Sequence, residues 1–184
     1  GRDPLAMRRE LLKDDPRQLA CLEAAAAAAG MDRPAPNGRH RGIALFTSYR
    51  SYICQIFEVS VDSARNVTMH KVVSAVDCGI AVNPDLVKAQ IESGIVFALS
   101  SALFGEITME DGLVQQSNFH DYPVLRMYQT PEMETILIPS QERPGGVGEL
   151  GVPCVAPALA NAISAATGEL YDSLPLKNHG LVFA

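Results

Sequence analysis

The stretch from Gly42 to Cys78 constrains the fold more than any other part of the sequence. β-Branched and aromatic residues concentrate there and alternate with polar ones, as at Ile53, Phe57 and Val59. A period of two places such residues on one face of a strand. The break at residues 62–66 has a common length for a hairpin connection. We therefore predict three antiparallel strands, at Gly42–Tyr49, Tyr52–Asp62 and Val67–Cys78.

Helices are predicted where a capping residue precedes a proline. Asp or Asn accepts the free backbone amides of a first helical turn, and proline fits the first helical position. Asp15-Pro16 and Asn83-Pro84 both have this form. Glycine ends a helix readily because it adopts a left-handed backbone, and Gly30 and Gly168 each follow an alanine-containing run. The predicted helices run from Pro16 to Ala29, from Pro84 towards Gly105 and from Pro157 to Thr167.

The remaining pattern completes an α+β class, because helices and strands are segregated rather than alternating along the chain. A second hairpin is predicted around Asp111-Gly112, a typical two-residue turn, and a further strand at Glu134–Ile138. Residues 31–42 combine two prolines, an Asn-Gly pair and three arginines, which predicts an exposed loop. The sequence does not begin with methionine, and we expect residues 1–184 to form one domain from the C-terminal part of a longer subunit.

Charge and composition argue against several function classes. A net charge of -6 has the wrong sign for non-specific nucleic-acid binding. The four cysteines lie far apart, and the four histidines show no metal-ligand spacing, so we predict buried reduced thiols and no protein-ligated metal. The apolar stretch Gly94–Gly105 is shorter than the roughly 20 residues that span a bilayer, which favours a core helix over a membrane span.

The densest cluster of glycine and proline is PGGVGELGVPCVAP, at residues 144–157. Within it, Gly146, Gly148 and Gly151 satisfy the G-x-G-x-x-G fingerprint of dinucleotide-binding loops. That fingerprint needs a strand that runs directly into the first glycine, whereas several residues separate Gly146 from the predicted strand. The other interpretation is a structural turn that carries a solvated Glu149 near the start of a helix.

A resemblance to a known family offers a third interpretation. Residues 144–175, PGGVGELGVPCVAPALANAISAATGELYDSLP, resemble the C-terminal signature of the molybdenum hydroxylases, the xanthine oxidase and aldehyde oxidoreductase family. Residues 76–107 are similar to the stretch of that family in which Asp-x-Gly and Asn-Pro lead into a glutamine-bearing helix. Residues 41–62 fit the preceding strands, and SNFHDYPVLRM at 117–127 looks most like the isoquinoline oxidoreductase type. The resemblance covers essentially the whole chain.

The resemblance implies an enzyme that hydroxylates an electron-poor carbon of an N-heteroaromatic ring or an aldehyde, with oxygen from water. The G-x-G-E loop of the family carries the catalytic base, which would be Glu149 here. The family's pterin-binding glutamine would be Gln90. Gly146, Val147 and Gly148 would line the cofactor, where residues without Cβ allow close approach of the backbone. The pterin supplies sulfur ligands to molybdenum, so the family needs no protein ligand to the metal.

The same resemblance implies several binding partners. The cofactor would be molybdopterin or its cytosine dinucleotide, completed by upstream sequence of the same large subunit. A small subunit would carry [2Fe-2S] clusters, and the substrate would be a small heterocycle or aldehyde. The 184-residue chain by itself is expected to be inactive. A nucleotide-binding module built on Gly146, Gly148 and Gly151 and a non-catalytic structural domain are the alternative hypotheses.

Overall fold

The structure is a computed structural model that describes residues 1–36 and 38–183. Asn37, in the predicted loop at 31–42, lies outside the described residues. Two short 3₁₀ helices lie at Met127–Gln129 and Leu176–His179. In chain order, the other elements are α1 (Pro4–Leu11), α2 (Pro16–Ala28), β1 (His40–Ser48), β2 (Ser51–Val61), β3 (Asn66–Asp77), α3 (Pro84–Phe104), β4 (Met109–Glu110), β5 (Leu113–Val114), β6 (Glu132–Leu137), α4 (Val155–Thr167) and β7 (Val182–Phe183).

Five strands form one mixed sheet, in which β1, β2 and β3 are antiparallel neighbours. The predicted three-stranded arrangement is confirmed. The predicted strand at Glu134–Ile138 is also confirmed as β6, which pairs with β3 in parallel. Its direction did not follow from the sequence, because a parallel neighbour depends on the path of the long connection through α3. β7 pairs in parallel with the start of β3, at the opposite end of the sheet from the β3 C-terminus.

Helices cover both faces of the sheet. α1 and α2 pack on one face, over Cys54 and Ile56. α3 and α4 pack on the other face, over Ile53, Phe57 and Val59, which are all fully buried. Because both faces of β2 are covered, this strand lies at the centre of the molecule, and its side chains reach every layer of the core.

The predicted helix and turn signals operate as expected. The side chains of Asp15 and Asn83 each accept a hydrogen bond from the backbone amide of the third helical residue, at 3.1 Å. Gly168 ends α4 with a φ of 77°. Asp111 and Gly112 have φ values of 50° and 79°, which suit a two-residue hairpin turn between β4 and β5. All three predicted helices are confirmed. Helix α1 was not predicted, although the same Asp-Pro signature begins it.

Helix α3 is the longest element, with 21 residues. It is long and apolar enough to cross a membrane by length and composition. Its side chains at Ile91, Ile95 and Leu99 are nevertheless fully buried in the core over the sheet. The predicted core helix is therefore confirmed.

The four cysteines are buried and free, as predicted. Burial raises the pKa of the Cys21 and Cys154 thiols to about 12, which keeps both protonated at neutral pH. Among the described residues, no group of three or more His, Cys, Asp or Glu side chains could hold a metal ion.

Candidate active site

The glycine-rich loop follows β6 only after an intervening segment. Residues 138–145 run beside the end of β3, where Ile80 donates its amide to the Glu142 carbonyl at 2.9 Å. β6 ends at Leu137, so in the described part of the chain no strand runs directly into Gly146. The geometry that a dinucleotide-binding fingerprint requires is therefore not met.

Gly79 lies where the backbone after β3 approaches the segment before the loop. Its φ is 71°, and a Cβ there would lie 2.3 Å from the Arg143 carbonyl oxygen. Next to it, Gly145 donates its amide to the Cys78 carbonyl at 2.8 Å. Only glycine combines this backbone conformation with such a close approach. The contact fixes the entrance of the loop relative to β3.

A buried ion pair supports the same junction. Arg17 of α2 donates two hydrogen bonds to the Asp77 carboxylate, each at 2.7 Å, and lies over the Tyr52 ring at 4.6 Å from its centroid. Asp77 also accepts the Gly79 amide at 2.9 Å. Burial opposes ionisation of Asp77, but the hydrogen bonds from Arg17 and Gly79 outweigh it and lower the pKa of Asp77. The Asp-x-Gly pattern was the only signal of this junction in the sequence, and the pairing with Arg17 was not predicted.

Three hydrogen bonds join residues 146–151 of the loop to the β1–β2 turn, to α3 and to β2. They join the Gly146 amide to the Tyr49 carbonyl, the Gln90 side-chain amide to the Gly148 carbonyl, and the Gln55 side-chain amide to the Gly151 carbonyl. Two residues predicted for cofactor binding, Gln90 and Gly148, are thus brought together. Gln55 was not singled out from the sequence, because its role depends on a contact across 96 positions of the chain.

The two predicted glycines of the loop differ in what surrounds them. A Cβ at Gly146 would lie 2.8 Å from the Tyr49 Cβ, so packing against the β1–β2 turn already explains this glycine. A Cβ at Gly148 would meet nothing within 4 Å. The open space beside Gly148 is available to a ligand. The cofactor role of Gly146 stays a prediction.

Glu149 lies between two points at which the loop is hydrogen-bonded, the carbonyls of Gly148 and Gly151. Its own carbonyl accepts the Val152 amide at 2.9 Å and closes a turn before α4. The residue is exposed. Its backbone is thus held on both sides while its carboxylate stays accessible.

A cleft of about 560 Å³ separates the loop from the start of α3. Val82, Gln90, Val147 and Gly148 are among the residues that line it. No backbone carbonyl of the described residues accepts from the amides of Val147, Gly148 or Glu149. The cleft therefore combines apolar walls with backbone donors and two residues that carry side-chain amides, Asn83 and Gln90, which fits a flat heterocycle with polar edges such as a pterin.

The family model described as "Molybdopterin cofactor-binding domain" matches residues 19–131. This range includes most of the sheet, α3 and Gln90, and it ends before the glycine-rich loop.

One relative extends the match through the loop. The chain is 35% identical over 179 residues to isoquinoline 1-oxidoreductase subunit beta of Brevundimonas diminuta, which covers 95% of this chain and 23% of that protein. It is 37% identical over 123 residues to a membrane-bound aldehyde dehydrogenase (pyrroloquinoline-quinone) of Gluconacetobacter polyoxogenes, covering 66% of this chain and 16% of that protein. The chain thus spans a quarter or less of the length of these relatives.

Solved structures share the fold. Quinoline 2-oxidoreductase from Pseudomonas putida 86 matches with a TM-score of 0.64 and 20% identity, over 68% of this chain and 17% of that one. The aldehyde oxidoreductase from Desulfovibrio desulfuricans matches with a TM-score of 0.59 and 25% identity, over 68% and 14%. The predicted α+β class is confirmed by these neighbours.

Proposed function

Because the chain belongs to the molybdopterin cofactor-binding family, as part of the large subunit of a xanthine oxidase-type molybdenum hydroxylase, we propose that its glycine-rich loop forms one wall of the active site. The reaction converts an aromatic or aldehyde C–H bond and one water molecule into a C–OH group, two protons and two electrons. The observation that carries the proposal is the placement of Glu149 between the hydrogen-bonded carbonyls of Gly148 and Gly151, beside a cleft that suits the pterin.

Residues on both sides of the cleft would hold the cofactor. Gln90 offers its side-chain amide, and Val147 and Gly148 offer backbone amides that no described carbonyl accepts. The bound molybdenum-pterin group, as molybdopterin or its cytosine dinucleotide, supplies oxygen transfer and accepts two electrons. The side-chain amide of Gln90 also orients the loop through the Gly148 carbonyl, so the same residue would position both the cofactor and the base.

Glu149 would act as the general base. A carboxylate oxygen accepts the proton that the water-derived oxygen loses as it bonds to the substrate carbon. Removal of a well-placed base typically lowers the rate by about 10² to 10⁴. The exposed position of Glu149 in the described chain leaves the carboxylate free to reach a substrate on the open side of the loop. Exclusion of water from the site would come from the rest of the subunit.

The remaining sequence of the same large subunit is a proposed partner. Large apolar side chains are exposed between residues 107 and 128, including Phe119 at 88% and Met127 at 91% of their accessible surface. Exposed apolar groups that cluster in this way mark surfaces that another protein surface covers. The relatives are about four times longer than this chain or more, which supports upstream sequence as the cover. A small [2Fe-2S] subunit would receive the electrons.

N-heteroaromatic compounds are proposed as substrates ahead of aldehydes. The relative that matches over 95% of this chain is an isoquinoline 1-oxidoreductase subunit, whereas the aldehyde dehydrogenase matches over 66%. The nucleotide-binding alternative is disfavoured, because residues 138–145 separate β6 from Gly146. A non-catalytic domain would retain the fold but give a complete subunit that lacks molybdenum or turnover.

The test is Glu149→Gln in the complete large subunit, co-expressed with its iron-sulfur partner. We expect normal molybdenum content and a loss of about 10² or more in kcat on isoquinoline-like heterocycles. Glu92→Gln, at a half-buried carboxylate of α3, is the matched control and should keep wild-type turnover. Wild-type turnover in the Glu149→Gln enzyme would place the base elsewhere. Absence of molybdenum from the wild-type complex would favour the non-catalytic alternative.

A further inference from the structure

Gln55 is a fully buried amide in the middle of the core. It lies on β2, on the face that packs against α3 and α4, between the fully buried side chains of Ile53 and Phe57. Glutamine is seldom fully buried, and it requires hydrogen-bond partners when it is. Its contacts therefore indicate why a polar group occupies this position.

The one hydrogen bond that the Gln55 side chain makes in the described structure leads to the glycine-rich loop. Its Nε2 donates to the Gly151 carbonyl oxygen at 3.1 Å, two residues after Glu149. The same glycine is pressed against α3, since a Cβ at Gly151 would lie 2.5 Å from the Ile91 carbonyl oxygen. Gly94 completes the contact, because its own Cβ would lie 3.1 Å from the Gly151 Cα. The end of the loop is thus fixed between the sheet and α3.

The described residues satisfy only part of the Gln55 side-chain amide. The Gln55 Oε1 has no hydrogen-bond partner in the described chain, and the same holds for the buried hydroxyls of Ser74 and Thr135. These residues are register neighbours, since Gln55 pairs with Ser74 on β3, and Ser74 pairs with Thr135 on β6. Buried polar atoms without partners are unfavourable, and an apolar side chain of similar size would avoid the loss at Gln55. Packing alone gives no reason for a glutamine.

We propose that Gln55 is a positioning residue for the glycine-rich loop. Its side chain holds the Gly151 carbonyl, so that the Glu149 carboxylate stays at the distance from the substrate that the reaction requires. This inference rests on the proposed role of Glu149 as the base. A displacement of about 1 Å at a reacting group can lower a rate by about 10²-fold. Gln55 touches neither the cleft nor Glu149, so its effect on the reaction passes through the loop backbone.

The test is Gln55→Met in the complete large subunit with its iron-sulfur partner. Methionine keeps the length and bulk of the side chain but cannot donate to Gly151. We expect kcat per molybdenum to fall by about 10- to 100-fold, KM to stay within about twofold, and the Tm to stay level or rise because no amide oxygen remains unpaired. Hydrogen-deuterium exchange at residues 146–152 should become faster. This readout does not depend on activity.

Val59→Ala is the matched control on the same strand and face. Val59 is fully buried, and its side chain forms no hydrogen bond with the loop. Its truncation should therefore lower the Tm without changing kcat per molybdenum or hydrogen-deuterium exchange in the loop. If Gln55→Met yields no folded subunit, Gln55→Leu removes the same donor with a different shape and the same expectation.

The outcomes separate this inference from the proposed function. Wild-type kcat and loop exchange in both Gln55 variants, with turnover lost in Glu149→Gln, would overturn the positioning role alone. Wild-type turnover in Glu149→Gln would overturn the base assignment and the positioning role together. Equal effects of Gln55→Met and Val59→Ala on kcat would reduce Gln55 to a structural residue.

Discussion

The two ends of β3 are anchored by arginines, but in different surroundings. At the C-terminal end, Arg17 forms two hydrogen bonds with Asp77, whose side chain is only 4% exposed. At the N-terminal end, Arg65 forms two hydrogen bonds with Glu169, whose side chain is 54% exposed. The two pairs have similar hydrogen-bond geometry, but the Asp77 carboxylate is shielded from solvent and the Glu169 carboxylate is not. Since water and salt screen exposed charges, the two pairs should differ in strength and in function.

The difference in burial is matched by a difference in what each pair holds. Asp77 also accepts the Gly79 amide, which connects the pair to the backbone that lines the cleft. Arg65 instead donates to the Tyr171 hydroxyl and the His179 carbonyl, which secure the C-terminal tail against the sheet. The buried pair thus supports the candidate active site, whereas the exposed pair holds the C-terminal residues against the sheet. If this division is real, changes at the buried pair should affect the cofactor site, and changes at the exposed pair should not.

Asp77→Ala should have the largest effect on stability. Loss of one partner of a buried ion pair leaves the other charge unpaired and costs about 3–5 kcal/mol, and the lower end applies here because Arg17 is 26% exposed. The Gly79 amide also loses its acceptor, so molybdenum content should fall as well. Thermal unfolding of the complete large subunit and its metal analysis measure the two effects.

The double variant Arg17→Met with Asp77→Leu separates stability from site geometry. Apolar replacements of a buried ion pair are often neutral, so the Tm should recover most of its loss. Molybdenum content should stay low, because leucine cannot accept a hydrogen bond from the Gly79 amide. Recovery of both quantities would mean that the pair has no connection with the cleft.

A pH dependence follows from the lowered pKa of Asp77. A carboxylate whose pKa is lower in the folded state stabilises the fold above its unfolded pKa of about 3.9, and this contribution is lost as the pH falls through the folded value. The Tm difference between wild type and Asp77→Ala should therefore be constant near neutral pH and shrink below about pH 4. Thermal unfolding of both proteins from neutral pH to below about pH 4 measures this difference. A difference that does not change with pH would contradict the ionised state of Asp77.

Glu169→Gln should have the smallest effect. The exposed pair is screened by solvent, and Arg65 keeps its hydrogen bonds to Tyr171 and His179 when the charge of Glu169 is removed. The Tm should change much less than in Asp77→Ala, the remaining difference should decrease in high salt, and molybdenum content should stay at the wild-type level. A loss of cofactor in this variant would remove the distinction between the two ends of β3.

Local signals in the sequence were sufficient for most of the elements. The capping residues Asp15 and Asn83 and the turn at Asp111-Gly112 act through contacts within a few positions, and each was predicted. The alternation between Gly42 and Cys78 predicted three strands because one face of each must be buried. These features depend on short-range chemistry, which a single sequence contains.

The contacts that assemble the candidate site are long-range and could not be predicted in this way. Arg17 reaches Asp77 across 60 positions, and Gln55 reaches Gly151 across 96. Either residue, taken alone, is compatible with a solvated surface. The family resemblance identified Glu149 and Gln90 as candidates, but it did not identify Arg17 or Gln55, which hold the glycine-rich loop and its entrance. Those became visible only when β2, α2 and the loop were placed together.

The most direct test of the central claim is the rate at which substrate reduces the anaerobic enzyme in a single turnover, compared between wild type and Glu149→Gln. This measurement separates the reaction with substrate from reoxidation by the external electron acceptor, and the absorbance of the iron-sulfur clusters reports the arrival of the electrons. With equal molybdenum content, we expect a limiting rate about 10² to 10⁴ times lower in the variant. Equal limiting rates would contradict the assignment of Glu149 as the base.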